Sequence, residues 1–378
     1  MKVYETPIIS GILISLIIIY LILVPVMIYQ YRKYNGIMVR RSVVLFSFII
    51  YMITAWFMTI LPLPDIEEVT KMPTIVPNFK PFLFVETFLE RTNFSLTNTS
   101  TWLASLKSSS FYTVAFNVLL TVPFGIYLRK YFKVSFCKTL LFGCLLSCFY
   151  EITQYTGLYG IYPKAYRYAD IDDVIVNTFG AGLGYLVTPI IEKLLPNTDK
   201  EQKRICEGKR AGVIRRGLSL FVDFIITGIV YFGVVLTTYL FLRYILGIKG
   251  NIFALDYTMN MAVYIFFFII VPITHQGNTL GMKILKIQLV NSNSNDKVKN
   301  IRIIIRNLTL LFVFRYDEIF KFLENTKNDK LIIIKDVVNM LGSMVFLIFV
   351  VSLLLTLIRK KDFILYDKIT STKVIISE

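Results

Sequence analysis

The sequence predicts an all-α polytopic membrane protein, a helical bundle of about nine transmembrane spans in two halves. Three observations carry that prediction. Hydrophobic residues make up 55% of the 378-residue chain and charged residues only 17%, against about 25% charged in an ordinary soluble domain. The apolar residues gather in blocks of the roughly 20 residues that a helix needs to cross a bilayer. The Lys and Arg residues cluster in alternate loops, which is the positive-inside pattern.

Ile8–Ile28 contains no charged residue. It has no basic leader beyond Lys2 and no small-x-small cleavage site, so it reads as an uncleaved first span. Further spans fall at 43–63, 111–128, 139–155 and 173–192 in the first half, and at 217–241, 258–274 and 334–357 in the second. The basic clusters Arg32, Lys33, Arg40 and Arg41, then Arg129, Lys130, Lys133 and Lys138, set the orientation with the N-terminus outside. The same bias continues at Lys193–Arg216, Lys283–Arg306 and Arg359–Lys373, whereas the loop around Asp65, Glu67, Glu68, Glu86 and Glu90 carries mixed charge. A cytoplasmic C-terminus then requires a ninth crossing. The candidate is Ile303–Phe320, although Arg306, Arg315, Asp317 and Glu318 make it a poor span, and its alternative is a helix lying along the interface. Residues 1–192 form one transmembrane domain, the polar and basic stretch 193–212 a cytoplasmic linker, and 213–378 a second transmembrane domain. The chain is expected in the cell membrane, among lipids as its partners.

Several function classes fall away. The net charge of +16 is distributed as loop clusters, so nucleic acid is not an expected partner. Cys137, Cys144, Cys148 and Cys206 show no metal-ligand spacing. The single histidine, His275, removes most His-based catalysis and reads as a helix-end residue at the cytoplasmic interface. No Walker A loop, Gly-rich dinucleotide loop or Ser nucleophile elbow occurs, and no cofactor is expected.

Ionisable groups at membrane depth cost about 2.5–3.5 kcal/mol each on insertion scales, so they need partners or a wet cavity. Glu151 and Gln154 end the fourth span three residues apart, on one helix face. The following loop carries Arg167, Asp170 and Asp172 and runs into a stripe of Asp173, Asn177, Gly180 and Gly184, polar at the outer end and small further in. Asn117 lies in the third span, ahead of Pro123. All these polar groups fall near the outer face, which suits a shared outward-facing pocket. The competing reading makes them helix caps and bundle glue, with Asp172 or Asp173 as the N-cap of the fifth span. Three carboxylates in this region could hold a hard divalent cation, but the spacing does not demand it and no metal site is assigned.

The order and spacing of Asn117 to Gly125, of Glu151-x-x-Gln154, and of Arg167-x-x-Asp170-Ile-Asp172-Asp173-x-x-x-Asn177-Thr-x-Gly180-x-x-x-Gly184 resemble the VanZ family across about residues 40–192. The resemblance implies an association with resistance to glycopeptide or lipoglycopeptide antibiotics such as teicoplanin, without an established reaction.

In the second half, Arg215-Arg216 opens the sixth span and Asp223 lies seven residues, two helical turns, beyond Arg216. Gln276-Gly277-Asn278-Thr279-Leu280-Gly281 precedes an alternating, strand-like stretch at Lys283–Val290, and Asp367 sits in the terminal segment. An Arg and an Asp in the first helix and a second Asp near the end, here Arg216, Asp223 and Asp367, resemble the RDD family over about residues 208–376. That resemblance implies transport, ion exchange included. The bland alternative is an ion-paired clamp that holds the cytoplasmic helix ends.

Three functions follow from these residues. The favoured one is a non-enzymatic envelope factor whose outer pocket binds a lipid headgroup or a glycopeptide. The second is a transporter or ion exchanger that uses the intramembrane acids. The third is a lipid-modifying enzyme built on Glu151 and Asp172 or Asp173.

Overall fold

The computed structural model describes residues 2–92, 94–198, 211–247, 253–294, 296–319, 329–358 and 365–377. Cys206, most of the expected linker and Phe320 lie outside them. The chain divides into two units. The first comprises Met1–Ile22 and Val39–Thr198, and the second comprises Leu23–Met38 and Asp199–Glu378. The opening helix α1 (Lys2–Tyr34) contributes to both.

The first unit continues with α2 (Val39–Ile60). Three short helices follow, α3 (Ile66–Lys71), α4 (Leu83–Thr92) and α5 (Ser100–Leu106), and then the long helices α6 (Ser109–Lys130), α7 (Phe136–Tyr155) and α8 (Ile171–Ile191). The closest packing is between α6 and α8. A Cβ on Gly184 would stand 2.0 Å from the Val122 carbonyl oxygen, one on Gly180 2.4 Å from that of Val118, and one on Gly125 1.9 Å from that of Ala181. Only hydrogen fits at these positions, which is how small residues let helix backbones approach in lipid. The Arg129 guanidinium donates to the Tyr185 carbonyl at 2.7 Å at the other end of this pair.

In the second unit α9 (Val213–Leu240) is followed by α10 (Phe253–Ile265), which a π-turn extends to Thr274. His275 ends that run, its ring nitrogen 2.9 Å from the Val271 carbonyl. A short helix α11 (Leu280–Ile284) leads into strand β1 (Ile287–Asn291). The strand starts later than the alternation at Lys283–Val290 suggests. The Thr279 hydroxyl accepts from the Met282 amide at 3.2 Å and nucleates a helical turn over its first residues. Helices α12 (Asn300–Ile319), α13 (Asp329–Ile358) and α14 (Leu365–Ile369) precede strand β2 (Thr372–Ile376). The two strands pair antiparallel, from Ile287 opposite Ile376 to Asn291 opposite Thr372. Beneath this ribbon lies a core of Leu218, Met282, Leu285, Ile287, Leu289, Ile303 and Val374 with Tyr31 of α1.

Among the described residues eight helices are long and apolar enough to cross a membrane, and they coincide with the eight apolar spans of the sequence. Large apolar side chains such as Ile190 (80% exposed) and Leu347 (63% exposed) stand outward from them, as hydrocarbon solvent permits. The ninth segment, α12, is too charged to qualify by composition. Nevertheless it runs antiparallel to α10: Asn307 bonds the Phe268 carbonyl at 2.8 Å, and Arg315 bonds the Asn260 carboxamide at 3.0 Å. Its other side meets α13 through Phe314 with Phe346 and Phe349. Partners inside the bundle thus accommodate two of the charges that disqualify it by hydropathy, Arg306 and Arg315. The polytopic helical architecture is as expected, with eight qualifying spans among the described residues against the expected count of about nine.

Candidate functional site

Two buried polar clusters form, one in each unit. The first lies at the end of the α6, α7 and α8 bundle that receives the 61–108 loop. Asp170 is the N-cap of α8, its Oδ1 accepting from the Asp172 amide at 2.9 Å. The cap is therefore Asp170 and not Asp172 or Asp173, because the chain is still extended at Asp170 and becomes helical after it. Asp170 Oδ1 also accepts from the Asn78 carboxamide at 2.8 Å, and the Asn78 backbone pairs with Ala169 and Ile171. Glu151 Oε2 accepts from the Asp170 amide at 2.9 Å. Asp173 Oδ1 accepts from the Asn117 carboxamide at 2.6 Å. One turn further in, the Asn177 carboxamide donates to Ser147 Oγ at 2.8 Å, and Ser147 donates to the Asp173 carbonyl at 3.3 Å.

Asp172 has a separate task. Its two oxygens accept from the Phe82 and Phe84 amides at 2.6 and 2.9 Å, so a buried carboxylate holds the N-terminal entry of α4, where the helix dipole favours an anion. Arg167 and Gln154 turn elsewhere. Arg167 donates to the Thr59 and Leu61 carbonyls at 2.6 and 2.9 Å, and Gln154 donates to Thr59 at 2.7 Å. The Tyr166 hydroxyl completes the cap by donating to the Ile60 carbonyl at 3.1 Å, and burial raises its pKa. These three side chains satisfy the free carbonyls at the C-terminus of α2, a favourable place for a cation.

Six of the eight residues singled out in the first half lie at this end of the bundle in two adjoining hydrogen-bonded sets, Glu151 with Asp170 and Asp172, and Asn117 with Asp173 and Asn177. Arg167 and Gln154 border these sets but face α2. Sequence reasoning missed Asn78, Ser147 and the backbone of Phe82 and Phe84. The one available signal was Asn78 between Pro77 and Pro81, a segment stiff enough to present a fixed edge. Among the described residues no three His, Cys, Asp or Glu side chains are arranged to hold a metal ion.

The second cluster surrounds a cavity of about 30 Å³ between α9, α10, α12 and α14, space for about one or two water molecules. Arg216 donates to Asp367 Oδ2 at 2.7 Å, and Arg306 reaches Asp367 Oδ1 at 3.3 Å. Asp367 is fully buried and so carries two guanidinium partners. Asp223 lines the same cavity but meets neutral donors, Thr279 Oγ1 at 2.6 Å and the Gly281 amide at 2.6 Å. Gly281 is required there, since a Cβ would stand 2.1 Å from the Ser219 carbonyl oxygen. Arg216 and Asp223, two turns apart on α9 as their spacing implies, both line this cavity, and Asp367 pairs with two of its lining residues, Arg216 and Arg306. Burial pushes the neighbouring Tyr366 hydroxyl up to about 12, so it stays neutral, under the Arg306 guanidinium 4.9 Å from its ring centre. Asn307 and Tyr366 entered none of the sequence-derived sites, whereas Thr279 belongs to the Gly277-Asn278-Thr279-Leu280-Gly281 motif of the RDD resemblance. Arg215 is also buried, donating to the Leu285 carbonyl and packing over Tyr31.

These arrangements fall inside the segments by which the chain matches known families. Residues 48–192 match the VanZ/LLP1 family and residues 210–371 the RDD family. Neither a curated protein nor a solved structure matches the chain. The protein is a multi-pass membrane protein that fuses a VanZ-like domain to an RDD family domain.

Proposed function

We propose that this is a protein of the bacterial cell membrane whose VanZ-like domain binds a lipid headgroup or a glycopeptide at its acidic cluster, and thereby modulates susceptibility to glycopeptide and lipoglycopeptide antibiotics such as teicoplanin. The observation that carries the reading is the gathering of Asn117, Glu151, Asp170, Asp173 and Asn177 from three helices at one end of the bundle. A groove of about 480 Å³ beside the same bundle, lined by apolar side chains such as Ile12, Phe116, Leu119 and Pro123, supports a lipid ligand, being within the roughly 300–1,000 Å³ of small-molecule sites. In this reading the N-terminus and the acidic cluster face outward and the C-terminus is cytoplasmic, in keeping with the basic loops.

A susceptibility panel that includes teicoplanin, run on deletion and overexpression strains, tests the proposal. Overexpression should change susceptibility, and Glu151→Gln or Asp173→Asn should abolish the change at normal protein abundance. Full activity in both variants would reduce the cluster to helix packing. Orientation is tested separately. Single cysteines placed at 65–108 should react with a membrane-impermeant thiol reagent in intact cells, and those at 196–212 should not.

One observation favours a second reading, that of a transporter or ion exchanger. Asp223 is buried, has no cationic hydrogen-bond partner among the described residues, and lines the small cavity of the second unit. Uptake of ions or drugs into vesicles that depends on Asp223 would support it.

A further inference from the structure

The acidic cluster brings four carboxyl groups together at one end of the bundle. Among the described residues no lysine or arginine makes an ion pair with Glu151, Asp170, Asp172 or Asp173. The nearby cation, Arg167, donates to two backbone carbonyls at the end of α2. The N-terminus of α8 contributes only about half a positive charge. Asp172 is satisfied by two amides, whereas among the described residues Glu151 and Asp173 each accept a hydrogen bond through one oxygen only. Asp170 and Asp173 both lie within electrostatic reach of Glu151.

A second, independent feature lies at the inner side of the same cluster. Asn177 is only 4% exposed, yet its carboxamide oxygen has no partner. Asn177 sits one turn inward of Asp173 on α8, and its amide nitrogen is tied to Ser147, one turn inward of Glu151 on α7. The carboxamide is thus held between the two helices below the two acids. A buried acceptor without a donor costs about 1–3 kcal/mol, and in lipid no water is freely at hand to relieve it.

We propose that the polar end of the α6, α7 and α8 bundle binds a primary ammonium group, with Glu151, Asp173 and the Asn177 oxygen as its three acceptors. An ammonium offers three N–H donors and no acceptor, and its charge strengthens hydrogen bonds to carboxylates. The inference rests on the reading of the cluster as a binding site and narrows the ligand to an amine. A phosphate or carboxylate would meet only like charge, since Arg167 is committed to α2.

The test uses the purified full chain in detergent, with thermal unfolding followed against added lipid. Phosphatidylethanolamine should stabilise the protein more than phosphatidylcholine, whose trimethylated nitrogen keeps the charge but has no N–H, and more than phosphatidylglycerol, which has no amine. Glu151→Gln and Asp173→Asn should raise the half-saturating concentration by about tenfold, with the melting temperature in the absence of amine unchanged. If ethanolammonium chloride alone gives the full effect, the ligand is a soluble amine, and if only the lipid does, it is a headgroup. Equal responses to all three lipids, insensitive to both variants, would mean that the site holds a buried water only and would overturn the proposal. Loss of the susceptibility phenotype in those variants without amine selectivity would sink the amine alone, whereas amine binding with an unaltered phenotype would sink the functional reading and leave the site standing.

Discussion

The two domains treat buried charge in opposite ways. In the RDD domain the carboxylate of Asp367 meets two guanidinium groups, and Asp223 meets a hydroxyl and an amide. In the VanZ-like domain four carboxylates share amide donors and one another's neighbourhood with no ion pair among the described residues. A paired charge in lipid is a fastener, and its removal exposes its partner. An unpaired one is costly, and in the proposed reading a bound ligand offsets that cost. The contrast makes the cost of deleting each carboxylate a measure of which kind it is.

The largest effect is expected at Asp367. Asp367→Ala leaves both Arg216 and Arg306 buried without an anion, a loss of about 3–5 kcal/mol, and should deplete the protein from membranes and lower its melting temperature in detergent. Asp223→Ala should cost less, about 1–3 kcal/mol, since only a hydroxyl and an amide are left unsatisfied. Abundance measured by immunoblot and thermal unfolding of the purified variants checks the ranking. An Asp223 variant as damaging as the Asp367 one would make Asp223 part of the clamp, and a harmless one with altered ion sensitivity would favour transport.

Packing in the VanZ-like domain gives a comparison that involves no charge. Gly184→Ala forces a Cβ to within 2.0 Å of the Val122 carbonyl oxygen, so α6 and α8 must separate, at about 1–3 kcal/mol. The melting temperature should fall, and any activity of the cluster should fall with it, because Asn117 and Asp173 sit on the same two helices. An unchanged melting temperature would show that the two helices need not touch there.

How legible these features were depended on the range of the interaction. The apolar spans were plain in the sequence because hydropathy is local, and so were the stripe of Asp173, Asn177, Gly180 and Gly184 and the two-turn relation of Arg216 to Asp223. The helix α12 was ambiguous by hydropathy, since the groups that accommodate its charges, Asp367 for Arg306 and Asn260 for Arg315, are distant in sequence. The same range effect bears on Arg167. Its place beside three aspartates puts it in the expected outward-facing pocket, yet it donates to the carbonyls of Thr59 and Leu61, more than 100 positions earlier. Asn78 and the Phe82 and Phe84 amides were invisible because a loop's backbone donors leave no compositional mark.

The smallest effect on stability is expected where the functional claim is greatest. Glu151→Gln keeps an oxygen for the Asp170 amide, and Asp173→Asn keeps one for the Asn117 carboxamide, so neither orphans a donor. Each also relieves repulsion among like charges, so the change should lie within about 0.5 kcal/mol of zero. Asp172→Asn is the internal contrast. Its amide nitrogen would face one of the two N–H groups at the entry of α4, a loss of about 1–3 kcal/mol. Thermal unfolding of the three variants in one detergent separates the two kinds of carboxylate. If Glu151→Gln and Asp173→Asn cost as much as Asp172→Asn, all the acids are fasteners and the VanZ-like cluster resembles the RDD one after all. If they cost nothing and still remove the susceptibility phenotype, the charge is there for something outside the protein.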